Sequence, residues 1–245
     1  MTDLAIIGGT GLTSLNGLEI TRQEVVYTPY GEPSSPLTHG RLAGRDVVFL
    51  PRHGYAHTIP PHWVNYRANI WALKSIGVRQ VLAVAAVGGI RTDMQPGWIA
   101  FPDQIVDYTY GRAHTFFEQD LERVIHVDFT QPYDEGLRQK LIAAAQAAKL
   151  QFVAGGTYGA TQGPRLETAA EILRMERDGC DLVGMTGMPE AALAREQQLA
   201  YACCAVITNY AAGKGREDIH MEIETYIKRA MDRVRLLLEA LLRTP

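Results

Sequence analysis

The sequence predicts a single α/β domain over residues 1–245, with a central mixed, mostly parallel sheet flanked by helices. Three observations carry this expectation. Short apolar runs alternate with longer stretches of helical periodicity, the order that lays helices over a parallel sheet. Two of the runs, QVLAVAAV at 80–87 and YACCAVIT at 201–208, are apolar on both faces, as a central parallel strand must be. No low-complexity linker, internal repeat or long charge run divides the chain.

The elements follow in order. Residues 4–7 (LAII) read as a buried strand ending at Gly8-Gly9, and 46–50 (DVVFL) as another, stopped by Pro51. Residues 63–76 set Val64, Ala68, Trp71 and Ala72 on one helical stripe. The strand at 80–87 ends at Gly88-Gly89, and a strand over 101–108 and an Ala- and Leu-rich helix over 133–149 come next. A strand at 151–160, a helix at 167–177, a short strand at 181–185 and a helix near 188–198 lead into 201–208. Residues 217–242 form a long helix with Ile219, Ile223, Ile227, Met231, Val234, Leu238 and Leu241 on one face.

Composition narrows the function classes. Hydrophobic and charged contents of 47% and 21% are those of an ordinary globular protein. A net charge of −3 and a pI near 6.2 create no field for nucleic acid or an anionic membrane. Any bound phosphate must be held by local donors. Cys180, Cys203 and Cys204 are odd in number, with two adjacent in an apolar run, which argues for a reducing cytoplasm rather than a disulfide framework. MTDLAIIGG lacks the basic region of a signal peptide, and no run nears the ~18 apolar residues that span a bilayer. A cytoplasmic protein is expected.

A set of residues at strand ends is the functional signal: Thr10 in IIGGTGLT, Arg52, His53 and His57 in PRHGYAHTIPP, and Glu167 in TQGPRLET. Met185 and Thr186 in GMTGMPEAALA and Asn209 in ITNYAAGKG complete it. In an open α/β sheet such positions converge on one crevice. They offer anion donors, polar partners for a flat ring and apolar surface, the makings of a site for a phosphate and a heterocycle.

Each motif also has a plainer reading. GGTG is a phosphate loop, a dinucleotide fingerprint or a tight turn, and Ser14 stands where the fingerprint needs its third glycine. Arg52 directly follows a strand, where its fork can clamp phosphate with two parallel bonds; otherwise it and the histidines cap a surface loop. His53, His57 and His62 lack an acidic partner nearby, so no metal is expected. Glu167 and Asn209 match N1–H, O6 and N7 of a 6-oxopurine, yet singly they read as a helix-start acid and an Asx turn. Met185 reads as core, Thr186 as an N-cap or phosphate hydroxyl, and Cys203 and Cys204 as core.

Taken together, IIGGTGL, RHG-x-x-H, VNYRANIWALK, the GPR turn and MTGMPEAALARE resemble the trimeric purine nucleoside phosphorylase and methylthioadenosine phosphorylase family over essentially the whole length. The resemblance implies that family's single α/β domain and phosphorolysis of an N-glycosidic bond. No cofactor is implied, inorganic phosphate being a co-substrate and a nucleoside the other partner. It implies that Thr10, Arg52, His53, the backbone near Ala86 and Thr186 hold phosphate, with Met185 under the ribose, Leu166 against the base and His57 near the nucleoside. His126 matches a residue that a neighbouring subunit of a homotrimer contributes.

Departures from the family pattern refine this. Adenine-selective members place aspartates where this chain has Asn209 and Ala211, so the base end resembles that of 6-oxopurine enzymes, with Asn209 and Glu167 catalytic. Inosine-type members place a histidine in the C-terminal helix for the 5′-hydroxyl; here HMEIETY presents Met221 and Ile223, apolar partners suited to a methylthio group. The resemblance therefore implies cleavage of a 5′-methylthio 6-oxopurine nucleoside in purine salvage. The alternatives are methylthioadenosine or inosine/guanosine phosphorolysis and, from a different class, a non-catalytic nucleotide-binding module resting on GGTG.

Overall fold

The computed structural model describes residues 3–119 and 121–243. In chain order its elements are β1 (Leu4–Gly8), β2 (Glu19–Glu24), β3 (Leu37–Leu42), β4 (Arg45–Pro51), α1 (Tyr66–Ser75), β5 (Gln80–Gly89), β6 (Ile99–Ala100) and β7 (Gln104–Asp107). There follow α2 (Glu135–Ala147), β8 (Phe152–Val153), β9 (Thr157–Ala160), α3 (Ala169–Arg177), β10 (Leu182–Gly184), α4 (Gly187–Glu196), β11 (Ala200–Tyr210) and α5 (Ile219–Arg243).

The sheet is mixed. β1 pairs in parallel with β4 and β5, β5 with β11, β6 with β8, and β9 with both β7 and β10. β2–β3, β3–β4, β5–β10 and β6–β11 are antiparallel. Alternate residues of its central strands feed two cores. Ile7, Leu50, Ala83 and Cys203 join α1 and α4 through Ile70, Leu73 and Leu193 on one face. Ile6, Phe49, Leu82 and Cys204 join α2 and α5 through Leu141, Val234 and Leu238 on the other. Cys203 and Cys204 are thus core, as their setting in an apolar strand indicates.

Differences from the sequence reading have local causes. β2 (EITRQE) was missed because it is an exposed strand with no apolar alternation, and β3 (LTHGRL) because its buried positions include Thr38 and His39. The strand expected at 101–108 is broken at Pro102, and that at 151–160 at Gly155-Gly156. Helix α1 starts late because the Asn65 side chain accepts from the Ala68 N–H and caps it there. Likewise α3 starts at Ala169 behind a Thr168–Glu171 capping box, so Glu167 lies outside the helix rather than in its first turn. On α5, Asp218 accepts from the His220 and Met221 N–H groups, and the fully buried stripe runs Ala230, Val234, Leu237, Leu238 and Leu242, with Leu241 at its margin.

β5 forks the sheet. β11 follows one whole edge, so β1 and β10 must share the other: β1 pairs with Gln80–Ala83 and β10, antiparallel, with Gly88 and Gly89. Among the described residues, that second edge has no strand partner over 84–87. No described helix is long and apolar enough to cross a membrane.

Candidate active site

A cavity of about 350 Å³ opens at the fork, within the range of small-molecule sites. Thr10, Arg52, His53, His57, Ala86, Leu166, Glu167, Met185, Thr186, Asn209, Ala211 and Ile223 all line it. The fork explains the placement. Backbone groups of alternate residues in a strand face alternate edges. The Val84 carbonyl faces the open edge, where it accepts from Arg52 Nη1 at 2.9 Å. The peptide groups of Ala86, two residues on, therefore face the same edge and the cavity.

At the strand-end side, the loop after β1 turns tightly and leads to β2, not to a helix, which removes the dinucleotide-module geometry for GGTG. A Cβ at Gly9 would lie 2.6 Å from the Val84 oxygen and 3.0 Å from Arg52 Nη1, so only glycine lets the loop pass this closely. Thr10 Oγ1 shares a 3.1 Å hydrogen bond with His57 Nε2. Thr186, which lines the cavity, is the N-cap of α4, but its hydroxyl makes no capping bond.

Arg52 departs from the expected two-pronged phosphate clamp. It is fully buried, and its Nε and Nη2 donate to the equally buried Glu190 carboxylate at 2.6 and 2.8 Å. Tyr201 Oη donates to the same carboxylate at 2.8 Å. The fork thus grips an internal acid, and of the five guanidinium N–H donors only two remain uncommitted. Burial opposes the Arg52 charge, Glu190 outweighs it, and the guanidinium pKa is raised. Glu190 was not foreseen; its signal is an acid set among the buried Ala191, Leu193 and Ala194 of α4.

His53 also differs from expectation. Burial, then the Arg52 cation, push its imidazole down to about 4, so the ring is neutral at pH 7. Nδ1 lies 2.8 Å from the Ile59 carbonyl, which can only accept, so Nδ1 carries the proton. Nε2 is left as an acceptor rather than the anion donor expected from sequence.

The opposite side is less enclosed. Thr161 Oγ1 donates to Glu167 Oε1 at 2.7 Å, and Leu166 stays 36% exposed. Asn209 sits at a register shift in β11. Its Oδ1 accepts from Thr208 Oγ1 and its Nδ2 donates to the Tyr210 carbonyl, both at 2.8 Å. This is not an Asx turn: Thr208 takes one lone pair of Oδ1 and Tyr210 one of the two N–H groups, which leaves one N–H free, with Nδ2 against Gly88 of the cavity wall.

One expected residue falls elsewhere. Met221 is 64% exposed and does not line the cavity; Ile219 does, because it lies one helical turn from Ile223 while position 221 points away from both. His126 lines a separate surface cleft with His114 and Glu196. Among the described residues no cluster of three or more His, Cys, Asp or Glu side chains is arranged to hold a metal.

A cavity with Thr10 and Arg52 N–H groups at strand ends and Glu167 and Asn209 among apolar residues across it is a small-molecule site of an α/β enzyme. The chain belongs to the Phosphorylase superfamily, whose family model matches residues 3–243. It is 57% identical over 243 residues, 99% of each chain, to the probable S-methyl-5′-thioinosine phosphorylase of Pseudomonas syringae pv. tomato. It is 47% identical over 248 residues to the 6-oxopurine nucleoside phosphorylase of Pyrococcus furiosus, covering 98% of this chain and 92% of that one. The crystal structure of methylthioadenosine phosphorylase from Schistosoma mansoni with adenine superposes with a TM-score of 0.91 at 34% identity, over 99% and 91% of the two chains.

Proposed function

We propose that the protein is a pentosyltransferase that cleaves S-methyl-5′-thioinosine with phosphate, giving hypoxanthine and 5-methylthioribose 1-phosphate. The observation that carries this reading is the Asn209 amide, with one N–H still free, beside Ala211. N7 and O6 of a 6-oxopurine both accept, whereas a 6-amino group needs an acceptor that the Ala211 methyl does not provide. Ile219 and Ile223 offer an apolar wall to the 5′ group; a 5′-hydroxyl there loses its partners, at about 1–3 kcal/mol.

In the reaction a phosphate oxygen bonds to C1′ as the C1′–N9 bond breaks and its electron pair passes to the purine, which takes up a proton. Thr10, Thr186, the Ala86 backbone and the two uncommitted Arg52 N–H groups hold phosphate. The neutral His53 accepts from the P–OH of hydrogen phosphate. Asn209 gives its remaining N–H to the N7/O6 edge as negative charge grows on the leaving purine, and Glu167 accepts from N1–H, so catalysis is positioning and electrostatics. Met185 lies under the ribose. The domain spans 1–245 and works in the cytoplasm as a homotrimer, in which His126 of each subunit closes the neighbouring cavity.

The test compares kcat/KM for methylthioinosine, methylthioadenosine and inosine at saturating phosphate. A clear preference for methylthioinosine is expected. Preference for methylthioadenosine overturns the base assignment, and preference for inosine overturns the 5′ assignment.

A further inference from the structure

Arg112 comes from the long segment between β7 and α2, is buried, and does not line the cavity. Among the described residues no carboxylate lies within ion-pair distance of it. Its donors go instead to neutral oxygens of the two segments, 161–167 and 185–188, that carry cavity-lining residues. Nη1 donates to the Met185 and Met188 carbonyls at 2.8 and 2.6 Å, and Nη2 to those of Thr161 and Gln162 at 3.2 and 2.8 Å. The guanidinium also lies against the Tyr66 ring, whose hydroxyl donates to the Pro61 carbonyl of a third wall. Thr161, so held, is the residue whose hydroxyl donates to Glu167.

A planar cation with five donors can bridge carbonyls of two segments at once; a lysine ammonium is a single point and cannot. We propose that Arg112 is a positioning residue, a staple that fixes the base-facing segment 161–167 against the ribose-facing segment 185–188 and so governs nucleoside recognition. The proposal rests on the assignment of Glu167 and Met185 to the nucleoside given above. It weighs on the nucleoside more than on phosphate, because Arg52 and Thr10 hang on β4 and β1, which Arg112 does not touch, and of the proposed phosphate residues only Thr186 lies in a stapled segment.

The experiment measures both Michaelis constants for Arg112→Lys, alone and combined with Glu167→Gln, with thermal unfolding as the check on folding. Loss of charged hydrogen bonds predicts a rise of about tenfold or more in KM for the nucleoside, with phosphate KM moving by less than about threefold. Adding Glu167→Gln is expected to cost little more, since both changes disable one relay. Equal rises in the two constants, full additivity, or no change overturns the proposal. If Arg112→Lys does not fold, Thr161→Val decides. A nucleoside-specific rise of about tenfold upholds the relay, and an unchanged constant overturns it. The wild type's own choice among the three nucleosides is read first, and the preferred one is used, so an error in the proposed substrate shows itself separately.

Discussion

The two ends of the cavity are built differently. The end proposed for phosphate rests on the termini of β1 and β4 and the first turn of α4, with Arg52 and Glu190 fully buried and paired through two hydrogen bonds. The end proposed for the nucleoside rests on the segment before α3 and the first turns of α5, where Leu166 is 36% exposed and Glu167 is held by one hydroxyl. The first end is rigid, set in the core; the second is adjustable, set by a few side chains nearer the surface. On the proposed reading, the ligand common to every substrate falls to the rigid end and the variable one to the adjustable end.

The largest expected break is at the rigid end. Glu190→Ala strands the Arg52 charge in the core and should cost about 3–5 kcal/mol of stability, read as a drop in denaturant midpoint. A loss under about 1 kcal/mol, as for an exposed pair, would show the phosphate end to be no more fixed than the other. Next, Asn209→Ala should lower kcat about 100- to 1000-fold with little change in phosphate affinity, as removal of a donor to developing charge does. A matching loss of phosphate binding would assign Asn209 to both ends.

The third prediction concerns pH. The folded pKa of His53, about 4, lies below the ordinary 6.5, so the unfolded chain takes up a proton first as pH falls. Stability tied to the neutral ring is intact above about pH 6.5 and is lost progressively toward pH 4, by up to about 3 kcal/mol. Tm measured from pH 7.5 to 5 should fall more steeply for the wild type than for His53→Asn; parallel curves would contradict it. The smallest effect belongs to the adjustable end: Glu167→Gln should fold normally and weaken discrimination for 6-oxopurines by about 1–3 kcal/mol, read as the ratio of kcat/KM values.

The sequence disclosed the parts of this architecture that depend on pattern. Apolar runs on both faces marked β5 and β11, and residues at strand ends marked most of the cavity. Partnerships were hidden. Nothing about Arg52 announces that its fork belongs to Glu190, because the two are 138 positions apart and the bond exists only through packing. Met221 and Ile219 are both apolar residues near the start of α5, and only the helix's rotation against β11 decides that the second faces inward. Arg112 sits in a segment without periodicity, so its carbonyl contacts have no trace in spacing.

The gap between β1 and β10 has one more consequence. An unpaired strand edge at a protein's surface invites another strand, and proteins ordinarily shield it. Here the same hazard is turned inward, onto the cavity proposed to take phosphate. The vacancy covers only residues 84–87 of β5. Extending β1 by a few residues past Gly8 would zip it shut and abolish ligand binding with every polar side chain still in place. What this enzyme does therefore depends as much on where two strands stop as on what any residue carries.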